Sequence, residues 1–170
     1  MALYFISGVP GTGKTTLVQE LRKHGEEAHD ADDECVRVSQ TTGKVIDHER
    51  EPFNWIYPKE SLNNLKSLSK NKNVFLAGSV DNFQDVYSAS DEYIWMDIPL
   101  DLLINRLDSR SKKYGKSKKE RQYLINLHKE METVIGKDVF RLDSTKPAEQ
   151  IADDLLKYTG KKYKITHPQP

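Results

Sequence analysis

Apolar and polar positions change rhythm repeatedly along this chain. The run "ALYFIS" (Ala2–Ser7) is continuously apolar, as expected of a strand buried on both faces of a parallel sheet. Beyond a glycine-rich stretch, Leu17 and Leu21 stand four apart among polar residues and predict a helix closing near Gly25. "EEAHDAD" (Glu26–Asp32) predicts a short second strand. Residues 33–57, with Gly43, Pro52, Phe53, Trp55 and Tyr57, carry only fragments of helical pattern. Pro58–Lys70 predicts a helix with Leu62, Leu65 and Leu68 on one side. "NVFLAGS" (Asn73–Ser79) and "EYIWMDI" (Glu92–Ile98) predict central strands. Leu100, Leu103, Ile104 and Leu107 follow at helical spacing, and beyond a basic loop Leu124, Leu127, Met131 and Val134 form a second helical stripe. "VFRLD" (Val139–Asp143) predicts a last strand, and Pro147 opens a closing helix with Ile151, Leu155 and Tyr158 inward. The tail after residue 160 has no strong pattern.

Alternating strands and helices imply an α/β fold, a parallel sheet with helices on both faces. No repeat or linker interrupts the alternation, so a single domain over residues 1–160 is expected, with 161–170 as a tail. Ligands of such sheets bind beyond the carboxyl ends of the strands. The residues just after Ser7, Asp30, Gly78, Asp97 and Asp143 are therefore expected along one edge.

Composition narrows the possibilities. The 170 residues suit one domain with a real core. Lys+Arg and Asp+Glu both number 26, a balance that argues against a duplex DNA binder. Cys35 is the only cysteine, which excludes an intrachain disulfide and a cysteine-based zinc site. The N-terminal apolar run is short and lacks a basic leader, and no stretch is long enough to cross a membrane. The expected setting is the reducing cytoplasm.

The glycine-rich stretch "GVPGTGKTT" supplies the chemistry. Gly8, Gly13, Lys14 and Thr15 satisfy G-x-x-x-x-G-K-[ST], with a strand before and a helix after. Glycines permit positive φ and let backbone N–H groups turn inward onto phosphate oxygens. The helix adds its positive N-terminal end, the lysine reaches the outer phosphates, and the next hydroxyl ligates Mg²⁺. In "HDADDE", Asp30 and Asp32 stand two apart and can share a face of an extended segment. Such a carboxylate can position Mg²⁺ or accept the proton of an attacking hydroxyl, or it can cap the next turn. No acidic residue ends the strand at Gly78, though Asp81 follows three residues on.

The strand–loop–helix at Gly8–Thr16, the Asp-x-Asp after strand two and the "WMDIP" strand end before a helix together resemble the small P-loop kinases. Adenylate, shikimate and gluconate kinases are members of that group. "VFLAGSVDN" and "YGKSKKER" are similar to small ATP-binding proteins of the same group, and the resemblance spans roughly residues 1–158. It implies a five-stranded parallel sheet in the order 2-3-1-4-5. It also implies a substrate-binding excursion after strand two (about 33–70) and a lid after strand four (about 108–122). By the resemblance, Gly8, Pro10, Gly11, Thr12, Gly13, Lys14, Thr15 and Thr16 bind ATP with Mg²⁺. Asp30 helps position the metal together with Thr15, Asp32 contacts the acceptor hydroxyl, and Gly78 lies beside the substrate. Ser79 stands where shikimate kinases continue with more glycine, and adenylate kinases usually lack the Asp-x-Asp, so the acceptor stays open.

The basic stretch around "RSKKYGKSKKER" holds Arg106, Arg110, Lys112, Lys113, Lys116, Lys118, Lys119 and Arg121, with Gly115 as a bend. Kinase lids use arginines to neutralise charge on the transferring phosphoryl group. Arg106 and Arg110, four apart on a helix, are the favoured pair. A solvated loop and a single-stranded nucleic-acid contact are the other readings. Arg37 and Arg50 could bind an anionic acceptor or pair with Glu34, Glu49 or Glu51. Phe53, Trp55 and Tyr57 could line the acceptor pocket or form local core. Asp97 is expected to fix the start of the next helix. The expectation is a kinase moving the γ-phosphoryl of Mg·ATP to a small-molecule hydroxyl or phosphate. A nucleotide or nucleoside kinase, a regulatory ATP-binding module and a polynucleotide 5′-kinase stand as alternatives.

Overall fold

The computed structural model describes residues 1–109, 115 and 117–166, the last stretch from 161 as backbone only. Five strands, β1 (Leu3–Ser7), β2 (Glu27–Asp30), β6 (Val74–Ala77), β7 (Glu92–Asp97) and β8 (Phe140–Asp143), form one sheet in the order β2-β6-β1-β7-β8. All four pairings are parallel. Counted within this sheet the order is the expected 2-3-1-4-5.

Alternation along each strand assigns its two faces. On β1, Tyr4 and Ile6 point to a layer formed by helices α1 (Lys14–Lys23) and α6 (Ala148–Thr166). Leu3 and Phe5 point to the opposite layer, formed by α2 (Lys59–Leu68) and α3 (Phe83–Ala89). Beyond β7, Trp95 and Ile98 pack against α4 (Leu100–Ser109) and α5 (Lys118–Val134) in a third cluster with Leu103, Leu107 and Leu124. Every residue of β1 is buried, which explains why its sequence reads as apolar throughout.

Helix α1 stops where its sequence stops it. Gly25 takes φ 79°, its N–H donates to the Arg22 carbonyl, and the Glu26 N–H donates back to Leu21, a Schellman closure. On α5 the capping box is complete: Ser117 accepts from the Glu120 amide and Glu120 answers to the Ser117 backbone.

Several expectations are corrected. The segment that gave only helical fragments is a small antiparallel sheet, ordered β4-β3-β5, of β3 (Val36–Ser39), β4 (Val45–Ile46) and β5 (Phe53–Ile56). Its strands are too short and too half-exposed for alternation to register. Asp30 and Asp32 do not share an extended segment, because β2 ends at Asp30 and Ala31–Asp33 is a 3₁₀ turn. The seven-residue α3 carries too few turns to show a period in sequence. On α5 the stripe splits, with Leu124 in the core and Val134 exposed. Helix α6 runs on to Thr166, through most of the stretch read as a patternless tail. Arg110, Lys112, Lys113 and Lys116 lie outside the described residues. Among the described residues, no helix is long and apolar enough to cross a membrane.

Candidate active site

The phosphate loop links the end of β1 to the first turn of α1. Gly11 and Gly13 have φ 108° and 102°, a region closed to side chains with a Cβ. Gly8 is needed for a different reason, since its φ is not positive. A Cβ there would lie 2.9 Å from the Met96 carbonyl oxygen and 2.9 Å from Thr12 Oγ1. Gly13 occupies the N-cap of α1 with no side-chain cap, and no acidic residue stands in the first turn. The leading amides of α1, each lacking a carbonyl four residues back, are therefore left for an external anion. Lys14 Nζ folds back onto the Gly8 and Val9 carbonyls at 2.7 and 3.3 Å.

The loop floors a cleft of about 1330 Å³. Gly8, Pro10, Gly11, Thr12, Gly13, Lys14, Thr15 and Thr16 all line it. Arg106 also lines it, and its guanidinium donates to the Thr12 carbonyl at 3.1 Å and the Ser144 carbonyl at 2.7 Å. In this structure it ties the phosphate loop to the β8–α6 connection, so the residue expected in the lid acts here as a brace. Lys146 and Pro147 of that connection and Ala148 at the start of α6 also line the cleft, together with Leu127, Met131 and Val134 of α5. The residues after Asp143 were expected along this edge; the contribution of α5 to the lining was not.

Asp32 and the small sheet border the cleft as well. Asp30, largely buried, accepts from the Asp32 amide at 3.1 Å and so caps the 3₁₀ turn that presents Asp32. Asp32 lines the cleft and Asp30 lies behind it. Trp55 Nε1 donates to Asp32 Oδ1 at 3.3 Å. Gly78 packs against this turn rather than beside the cleft, since a Cβ at Gly78 would fall 2.3 Å from the Ala31 Cβ.

Asp81 and Asn82, after β6, hold β5 in place. Asp81 Oδ2 accepts from the Trp55 amide at 2.5 Å, and the Asp81 amide donates to the Trp55 carbonyl at 2.8 Å. Asn82 accepts from the Tyr57 amide at 2.9 Å and donates to its carbonyl at 3.0 Å. Tyr57 is fully buried, so of the three aromatics only Phe53 and Trp55 line the cleft. Ser79 Oγ donates to the Gly8 carbonyl at 3.0 Å, joining the end of β6 to the phosphate loop.

The arginines of the excursion separate. Arg37 lies opposite Trp55 across the β3–β5 ladder and pairs with Glu49 at 2.6 Å. Its guanidinium carbon sits 5.5 Å from the Phe53 centroid and 5.1 Å from that of Trp55. Arg50 is exposed and outside the cleft lining, which removes the expected contact with an acceptor. Asp97 accepts from Arg141 at 3.1 Å instead of fixing the next helix. Arg121, from the basic stretch, pairs with Asp108. Near the acidic end, burial pushes the Cys35 thiol up to about 12, and the charges of Asp32, Asp30, Asp81 and Glu34 push the same way. Burial likewise raises the Tyr93 phenol to about 12.

A family described as an AAA domain matches residues 5–134. No curated protein sequence matches the chain. Solved structures do. The shikimate kinase of Acinetobacter baumannii, in complex with shikimate, aligns at TM-score 0.61 and 19% identity, over 95% of this chain and 94% of that one. A gluconokinase of Sinorhizobium meliloti 1021 aligns at 0.57 and 15%, over 96% and 97%. The tunicamycin resistance protein of Deinococcus radiodurans aligns at 0.60 and 16%, over 93% and 95%. At these identities the likeness is one of fold. The chain therefore belongs to the AAA-domain family and has the fold of the small P-loop kinases.

Proposed function

We propose that the protein transfers the γ-phosphoryl group of ATP to a hydroxyl of a small molecule. The observation that carries this reading is one cleft with an uncapped phosphate loop on its floor and Asp32 in its lining. In the reaction the acceptor oxygen attacks the γ-phosphorus, the bond to the β–γ bridging oxygen breaks, and ADP leaves. Asp32 receives the hydroxyl proton. Lys14 swings from the Gly8 and Val9 carbonyls to the β- and γ-phosphates, and the first-turn amides of α1 hold the same oxygens.

The hydroxyl oxygen of Thr15 fits Mg²⁺, which takes few protein ligands and keeps several waters. When bound, Mg²⁺ offsets the negative charge of the phosphate oxygens. Asp30 supports the acceptor indirectly, by fixing the turn that carries Asp32. Arg106 holds the phosphate loop against the β8–α6 connection, where the base of the nucleotide would lie. Most of the rate acceleration comes from positioning and charge stabilisation, since phosphoryl transfer asks little covalent chemistry of the protein.

The test is a pair of variants assayed with Mg·ATP and a panel of hydroxylated acceptors. Asp32→Asn keeps nucleotide affinity and loses about 10²–10⁴ in turnover. Lys14→Ala loses nucleotide binding or turnover. Near wild-type transfer by Asp32→Asn would remove the base assignment. Mg·ATP binding with no product from any acceptor would favour a regulatory module instead.

A further inference from the structure

The half of the cleft that would receive the acceptor is acidic. Besides the Arg37–Glu49 ion pair, two carboxylates line it, from Asp32 and Asp81. Among the described residues lining this half, Arg37 is the one cationic side chain. Its charge is committed: Glu49 lies 2.6 Å away and two aromatic rings flank the guanidinium. Lys14 and Arg106, the nearest other described cations of the lining, hold the phosphate-loop backbone. The expected anion receptor from Arg37 and Arg50 is thus absent as an accessible pair, because one is neutralised and the other points elsewhere.

We infer that the acceptor is a polyhydroxylated ring without negative charge, a neutral sugar or an amino sugar, and not a carboxylate or phosphate ester. This rests on the phosphotransfer reading above. Carboxylates accept hydrogen bonds and cannot donate them when ionised, so they suit a ligand rich in O–H or N–H⁺ donors. An acid entering beside them meets like charges. Phe53 and Trp55 supply the apolar surface that a ring's C–H edges need, as is usual of small-molecule sites.

The experiment uses the full chain with Mg·ATP and matched acceptors: glucose and glucosamine against gluconate, glucuronate and glucose 6-phosphate, with ADP release corrected for hydrolysis by water. Calorimetry with Mg·ATP alone is run in parallel. The expected result is a kcat/KM at least about tenfold higher for the uncharged and amine-bearing members, about 1.4 kcal/mol. Glu49→Gln, which removes a carboxylate and releases Arg37, raises the glucuronate-to-glucose ratio about tenfold; a merely structural role for Glu49 would leave that ratio fixed. Preference of the wild type for the acidic members, or an unchanged ratio in the variant, overturns the inference while phosphotransfer stands. Mg·ATP binding without turnover of any member overturns the phosphotransfer reading and this inference with it. No heat from Mg·ATP removes the phosphate loop assignment itself.

Discussion

Gly78 shows how a single hydrogen in place of a methyl group can position the side chain proposed as the base. Its Cα abuts Ala31, whose 3₁₀ turn presents Asp32 to the cleft. Gly78→Ala puts a Cβ 2.3 Å from the Ala31 Cβ, and overpacking of this kind costs about 1–3 kcal/mol. Urea unfolding should register that loss. Acceptor turnover should fall while nucleotide affinity holds, since the phosphate loop is untouched. A fully active, fully stable variant would show that the turn has room to move. Cys35 offers a second test at this scale. Burial first, and then its acidic neighbours, raise its thiol to about 12. An acid raised on folding lowers stability only above its unfolded value, about 8.5. At pH 8 the native thiol is therefore almost entirely protonated. Iodoacetamide should alkylate the native protein about 10³-fold more slowly than the urea-unfolded chain. Equal rates would mean that the thiol is solvated.

At the scale of elements, the small sheet β4-β3-β5 depends on the loop after β6. Asn82 brackets Tyr57 with two hydrogen bonds, and Asp81 brackets Trp55 with two more. The wall that carries Phe53 and Trp55 is thus fastened to the central sheet by three side-chain hydrogen bonds and one backbone hydrogen bond rather than by a strand ladder. Asn82→Ala leaves the Tyr57 amide and carbonyl without these partners, at about 1–3 kcal/mol. The expected outcome is local. Hydrogen exchange quickens at residues 55–57, the acceptor KM rises, and Mg·ATP affinity is unchanged. Global unfolding of the variant would mean that β5 belongs to the main cooperative unit.

At the scale of the molecule, nucleotide binding and folding are linked, because the phosphate loop exists only in the native state. A ligand at about a hundred times its dissociation constant adds about 2.7 kcal/mol to native stability. For a chain of this length that raises Tm by about 5–11 °C. Lys14→Ala should abolish most of the shift in a thermal melt with Mg·ATP. A wild-type protein whose Tm ignores saturating Mg·ATP would have no phosphate site.

What the sequence determined by itself is local in the chain. The phosphate loop is a contiguous run whose glycines, lysine and threonines must do their work next to one another, so Gly8–Thr16 is legible without a fold. The buried strands are legible too, because a strand covered on both faces, such as Leu3–Ser7, admits almost only apolar residues. The tertiary structure decided everything that depends on which distant segments meet. It placed Asp32 in the cleft and Asp30 behind it, although in sequence the two are nearly equivalent. It paired Arg37 with Glu49 across the excursion, where sequence allowed three partners. It set α5 and the β8–α6 connection into the lining of the cleft, far along the chain from the phosphate loop. The physical reason is common to all three. Charge pairing, exclusion of water and the shape of a cavity are properties of spatial neighbours, and residue type records them only where spatial and sequence neighbours coincide.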